Sequence, residues 1–197
     1  MKEITTYIVE KFKINKTLKN HIYNYHPKDK KELEEILYNK FKDEGKDADL
    51  TDIDTSEITD MKSLFREASK EWESLKFENI DLSYWDMSNV IDAGYMFSGC
   101  KNLKSIGNVS SWDMSNVISM EQMFYDCPNL KLDNSYIENW DVSNVKNFRS
   151  MFMHSYNVDF DLKKWNINKS AEVTNMIADC DSFSKNNIPE NLPKNAY

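Results

Sequence analysis

The strongest constraint on this chain is that it repeats itself. WDMSNVIDAGYMFSGCKNL begins at Trp85, WDMSNVISMEQMFYDCPNL at Trp112, WDVSNVKNFRSMFMHSYNV at Trp140 and WNINKSAEVTNMIADCDSF at Trp165. The four tryptophans are spaced by 27, 28 and 25 residues. A degenerate first copy, IDTSEITDMKSLF, begins at Ile53 and keeps the same register, so five copies tile roughly residues 50–183. One such unit cannot bury its own apolar side; stacking against its neighbours buries it. Any fold must therefore offer the same environment to the same side chain five times over.

Each register position carries a physical expectation. Asp54, Asp86, Asp113, Asp141 and Asn166 follow the Trp position. Their side chains can accept backbone N–H groups two or three residues on and close Asx turns. Ile58, Val90, Val117 and Val145 then point inward. Leu64, Met96, Met123, Met151 and Met176 recur next, each followed by an apolar residue, and this Met-Phe segment has the spacing of a short helix. Cys100, Cys127, Ser155 and Cys180 share one register, which points to packing. A Cys100–Cys127 bridge is conceivable if neighbouring coils approach closely enough, but nothing demands it.

The connecting segments, such as LKFENIDLSYW and LKSIGNVSSW, alternate in a way that predicts short strands. Leu75, Leu103, Leu130 and Val158 face in, and Lys76, Lys104, Lys131 and Asp159 face out. Glu78, Asp133 and Asp161 lie two residues further along three of these strands. Those outward residues, Lys76, Lys104, Lys131, Glu78, Asp133, Asp159 and Asp161, are the candidate partner-binding set, because the core does not need them.

WDMSNV, WDVSNV, YMFSGC and QMFYDC resemble the repeats of BspA-like bacterial surface proteins, a leucine-rich class also found in mycoplasma lipoproteins. The resemblance covers about two thirds of the chain. It implies an α/β repeat: a leucine-rich-repeat-like solenoid with parallel short strands, short helices on the other side and an N-terminal helical cap. It also implies protein binding or adhesion, with no catalytic residue to carry over.

The ends frame the array as a helical cap over 1–46, repeats over 47–183 and a loosely attached tail over 184–197. In the cap, HPKDKKELEEILYNKFKDEG predicts a helix that starts near Pro27 and Asp29 and ends before Gly45. Its expected apolar stripe is Leu33, Ile36, Leu37, Tyr38 and Phe41. Ile4, Tyr7, Ile8 and Phe12 suggest another helical face before it.

Composition narrows function by exclusion. The net charge of −8 argues against phosphate-backbone binding, which needs clustered Lys and Arg. Residues 1–46 carry +3 and the remainder −11. With Glu3, Glu10 and Lys11 inside its first apolar stretch, the N-terminus does not read as a signal peptide. No apolar run is long enough to span a membrane, so the expected location is the cytoplasm. No CxxC, HExxH, GxSxG or Walker loop occurs, and the Asp-rich DADLTDIDTSE lacks the Gly and Glu of a calcium loop. The expectation is a non-enzymatic protein-binding repeat module without cofactor or metal. Its sharper form is a phage- or mobile-element-encoded inhibitor of a host protein such as a CRISPR nuclease. The alternative is a structural or adhesive surface repeat protein.

Overall fold

The computed structural model describes residues 21–66, 77–132, 134–158, 160–180, 183–190 and 192–197. The repeats stack in register, but the expected solenoid of parallel strands with short helices opposite is not what the chain forms. Among the described residues α-helix occurs in α1, Lys30–Glu44, in the four-residue α2, Asn134–Ile137, and over 64–66. The remaining helical pieces are short 3-10 turns. Among the described residues the pairing is by isolated parallel bridges and not by a sheet; Asp60↔Asp92, Asp92↔Ser119, Ser119↔Asn147 and Asn147↔Glu172 link consecutive repeats through one register.

The Met-Phe segments of the four Trp-bearing repeats are runs of tight turns, whereas that of the first copy is helical over 64–66. Ser63, Tyr95, Gln122, Ser150 and Asn175 all have positive φ, between 51° and 60°, at one repeat position. A second such position holds Gly99, Asp126, His154 and Asp179. Left-handed residues cannot continue an α-helix. Their effect on the amides is an alternation. The Ala93, Tyr95, Phe97 and Gly99 amides donate to Ser119, Glu121, Met123 and Tyr125 of the next repeat, at 2.7–3.0 Å. The Met96, Ser98 and Cys100 amides instead close local turns onto Ala93, Tyr95 and Phe97. Gln122, Phe124 and Asp126 repeat the outward pattern onto Arg149, Met151 and Met153.

The expected strands are equally interrupted. Leu103, Leu130, Leu132 and Phe77 are buried and Lys104, Lys131 and Glu78 exposed, so the in–out alternation exists locally. It does not extend. Gly107 has φ 81°, and a Cβ there would strike the Asp81 carboxylate. Val109–Ser111 and Leu162–Lys164 then turn as 3-10 helices, and α2 occupies the equivalent stretch of another repeat.

Polar turns make the corners. Asp54, Asp86, Asp113 and Asp141 accept the amides of Ser56, Ser88, Ser115 and Ser143 at 2.8–3.1 Å. In the last repeat Asn168 does so for Ser170, rather than the expected Asn166. Inside, the Phe ladder Phe65–Phe97–Phe124–Phe152 stacks with centroids 5.1–5.6 Å apart. Trp85, Trp112, Trp140 and Trp165 are buried, and their indole N–H groups donate to the carbonyls of Leu50, Leu82, Val109 and Ile137 in the preceding repeat.

Both ends are closed by the chain itself. Asp29 caps α1 by accepting from Glu32 N, and Gly45 ends it with φ 74°. Leu33, Leu37 and Phe41 are buried as expected, whereas Tyr38 is exposed. The buried stripe also includes Lys40, 6% exposed, whose ammonium lies 3.1 Å from Asp52 Oδ1 and 3.3 Å from Glu44 Oε1. Burial works to lower the Lys40 pKa, but the bonds to Asp52 and Glu44 outweigh it and hold it above the ordinary lysine range. Residues 21–26 pair alongside the first repeat through Asn24 N to Asp52 O and Asp54 N to Tyr25 O, both 2.9 Å. The expected face of Ile4, Tyr7, Ile8 and Phe12 lies outside the described residues. At the other end the final residues are docked, not loose: Asn175 N and Ile177 N donate to Asn195 O and Ala196 O, and Ala196 is fully buried.

Three outcomes follow for stability. Trp112→Ala should cost about 3–5 kcal/mol in urea melts, from lost burial and a cavity. At the left-handed Gln122, Gly should be neutral to within about 1 kcal/mol or stabilising, while Val should cost about 1–3 kcal/mol; equal effects would show that the positive φ is absent. Tyr23, bonded to Tyr84 O at 2.9 Å, has its pKa pushed up to about 12, first by burial and then by the Asp54 and Asp86 charges. Its contribution is therefore complete below the unfolded pKa near ~10 and lost as pH rises through about 12. Tyr23→Phe should flatten the decline of stability across that window.

Candidate partner-binding site

Glu78, Lys104 and Lys131 are exposed beside the buried row Phe77, Leu103, Leu130 and Leu132, which fixes their backbone and leaves their heads in water. Lys104 N donates to Glu78 O, and Lys131 N to Lys104 O at 3.0 Å, so one segment follows another across the repeats. Between them is an open surface groove of about 450 Å³, lined by Asn79, Lys104, Ser105, Asn129, Lys131 and Asn157.

The structure brings Glu78, Lys104 and Lys131 to this region. Lys104 Nζ meets Glu78 Oε2 at 2.7 Å, with both side chains about half exposed. This bond, with the nearby Lys46 charge, holds the Glu78 carboxyl below the usual range. Asp161 is placed elsewhere in role: it caps the Leu162–Lys164 turn by accepting from Lys163 N at 3.1 Å. Lys76, Asp133 and Asp159 lie outside the described residues.

Asn79, Ser105, Asn129 and Asn157 were not anticipated. Asn129 Nδ2 donates to Lys101 O at 2.7 Å and Asn157 Nδ2 to Pro128 O at 2.6 Å, each reaching back one repeat. The signal was present as the recurrent Asn of CKNL, CPNL and SYNV. Elsewhere Asn89, Asn116 and Asn144 form a similar ladder onto Ser56, Ser88 and Ser115 carbonyls.

Cys100, Cys127 and Cys180 are buried thiols, none of them in a disulfide. The Cys127 thiol donates to Phe97 O at 3.0 Å, and burial pushes its pKa well up. Ser155 in the same register makes the equivalent bond to Phe124 O. A buried, protonated thiol in this setting is a hydrogen-bonding core residue and a poor nucleophile. Among the described residues no group of three His, Cys, Asp or Glu is placed to hold a metal ion. No helix among them is long and apolar enough to cross a membrane.

The family described as "Mycoplasma protein of unknown function, DUF285" matches the chain twice, over residues 6–131 and 103–192. No curated protein and no solved structure matches it.

Proposed function

We propose, from the premise that the chain belongs to this mycoplasma family of unknown function, that it is a protein-binding repeat module. Its recognition surface is the face that carries Glu78, Lys104 and Lys131. The observation that supports this reading is the groove itself. It draws lysine and asparagine side chains from consecutive repeats: the lysine heads are not needed by the core, and Asn129 and Asn157 each spend only one N–H on the repeat behind. Repeat proteins recognise partners across several units in this way. Kinship with the BspA-like surface repeats is part of the same reading. Adhesive and inhibitory roles are two uses of one such surface, and the identity of the partner separates them.

The test is affinity capture with identification by mass spectrometry, run in parallel with Lys104→Glu/Lys131→Glu. The double variant should melt at nearly the same temperature and lose a captured protein, with affinity down at least tenfold, about 1.4 kcal/mol. Capture that survives the double change would move recognition to another surface.

A further inference from the structure

The groove has a chemistry specific enough to name its ligand. Its cations, Lys104 and Lys131, come from successive repeats, and Lys46 adds to the positive field at Glu78. These lysines lie on a chain whose net charge is −8. The lining is otherwise amide and hydroxyl: Asn79, Asn129, Asn157 and Ser105. Asn129 and Asn157 each spend one side-chain N–H on a carbonyl of the preceding repeat. That bond fixes the amide plane and leaves its oxygen to accept from a ligand's backbone N–H. Glu78 shows what the lysines take: an exposed carboxylate reaches Lys104 at 2.7 Å.

We propose that this groove binds an extended acidic peptide segment of a partner protein, with its carboxylates on Lys104 and Lys131 and its backbone on the asparagine amides. The proposal rests on the reading of this face as a recognition surface and gives that surface its ligand class. Alternate side chains of an extended peptide are about 7 Å apart, and the flexible lysine stems adjust to that spacing. An exposed ion pair is worth about 1 kcal/mol or less, so a single carboxylate would bind too weakly; a segment that engages both lysines and the amides adds those contacts. Residues 47–197, which carry −11 in all, disfavour such a segment over the rest of the repeats, which directs it to this patch. A nucleic acid would need many more cations and would meet the same repulsion along its whole length. Glu78 occupies Lys104 as an internal stand-in for the ligand. Its removal should therefore help binding, an outcome that a merely structural ion pair does not produce.

The experiment is fluorescence anisotropy of the full chain with a labelled ten-residue glutamate-rich peptide. A lysine-rich peptide and a ten-nucleotide single strand serve as comparisons. The acidic peptide should bind, and added salt should weaken it. Lys104→Glu/Lys131→Glu should reduce its affinity at least tenfold without lowering the melting temperature, and Glu78→Gln should raise it severalfold. Equal or tighter binding of the lysine-rich peptide or the oligonucleotide overturns the proposal. So does acidic-peptide affinity that ignores the double reversal, or that falls in Glu78→Gln. A captured protein that depends on Lys104 and Lys131 but is not displaced by the acidic peptide overturns this ligand class and leaves the protein-binding reading standing. Peptide binding of the expected pattern with no protein captured does the reverse.

Discussion

The division of backbone amides in the Met-Phe turns governs everything else in this structure. An α-helix would use every amide within its own segment, and a strand would offer its amides only to neighbours. Here Ala93, Tyr95, Phe97 and Gly99 reach the next repeat, while Met96, Ser98 and Cys100 close local turns. Each repeat is thus folded and attached by the same short segment. The alternation needs left-handed residues at Tyr95 and Gly99 and at their equivalents in the three repeats that follow. With the backbone held this way, Phe65, Phe97, Phe124 and Phe152 must superimpose, and their stacked rings are the result.

Side chains complete the attachment by reaching back. The indole N–H groups, the Cys127 thiol, the Ser155 hydroxyl and the asparagine amides all donate to carbonyls of the preceding repeat. A buried carbonyl without a donor costs about 1–3 kcal/mol, so these positions are constrained by satisfaction as well as by volume. That explains why cysteine and serine interchange at one register. Both are small and both donate, and no thiol chemistry is required.

The sequence disclosed the period, the buried tryptophans and the Asx corners, because each depends on local residue chemistry. The helical expectation for the Met-Phe segment held only over 64–66 and failed in the four later repeats, for a definable reason. Ala93, Met96, Phe97 and Cys100 fall at i, i+3, i+4 and i+7, the spacing of a helical face. The same spacing arises from consecutive turns, and apolar periodicity does not register the sign of φ. A better signal was at hand: Gly99, Asp126, His154 and Asp179 share a position, and Gly, Asp and His tolerate the left-handed region better than most residues. Lys40 was invisible because a charge in a helical stripe reads as surface, whereas Asp52 and Glu44 make its burial tolerable. At the candidate site, Lys104, Lys131 and Glu78 were legible from alternation. The asparagines were not, since their role depends on which carbonyl lies one repeat behind.

The placement of the groove follows from where the repeat is allowed to vary. The Met-Phe turns are held by the left-handed requirement, and the Asp–Ser corners by their amide bonds. The connecting segments are tied by few bonds to the next repeat, among them Lys104 N to Glu78 O and Ile80 N to Ser105 O. They accordingly differ most from one another: Gly107 and a 3-10 turn in one, α2 in another, a 3-10 turn again before Trp165. Such a surface can change its outward charges without disturbing the stack. A basic groove on an acidic molecule is thus structurally inexpensive here.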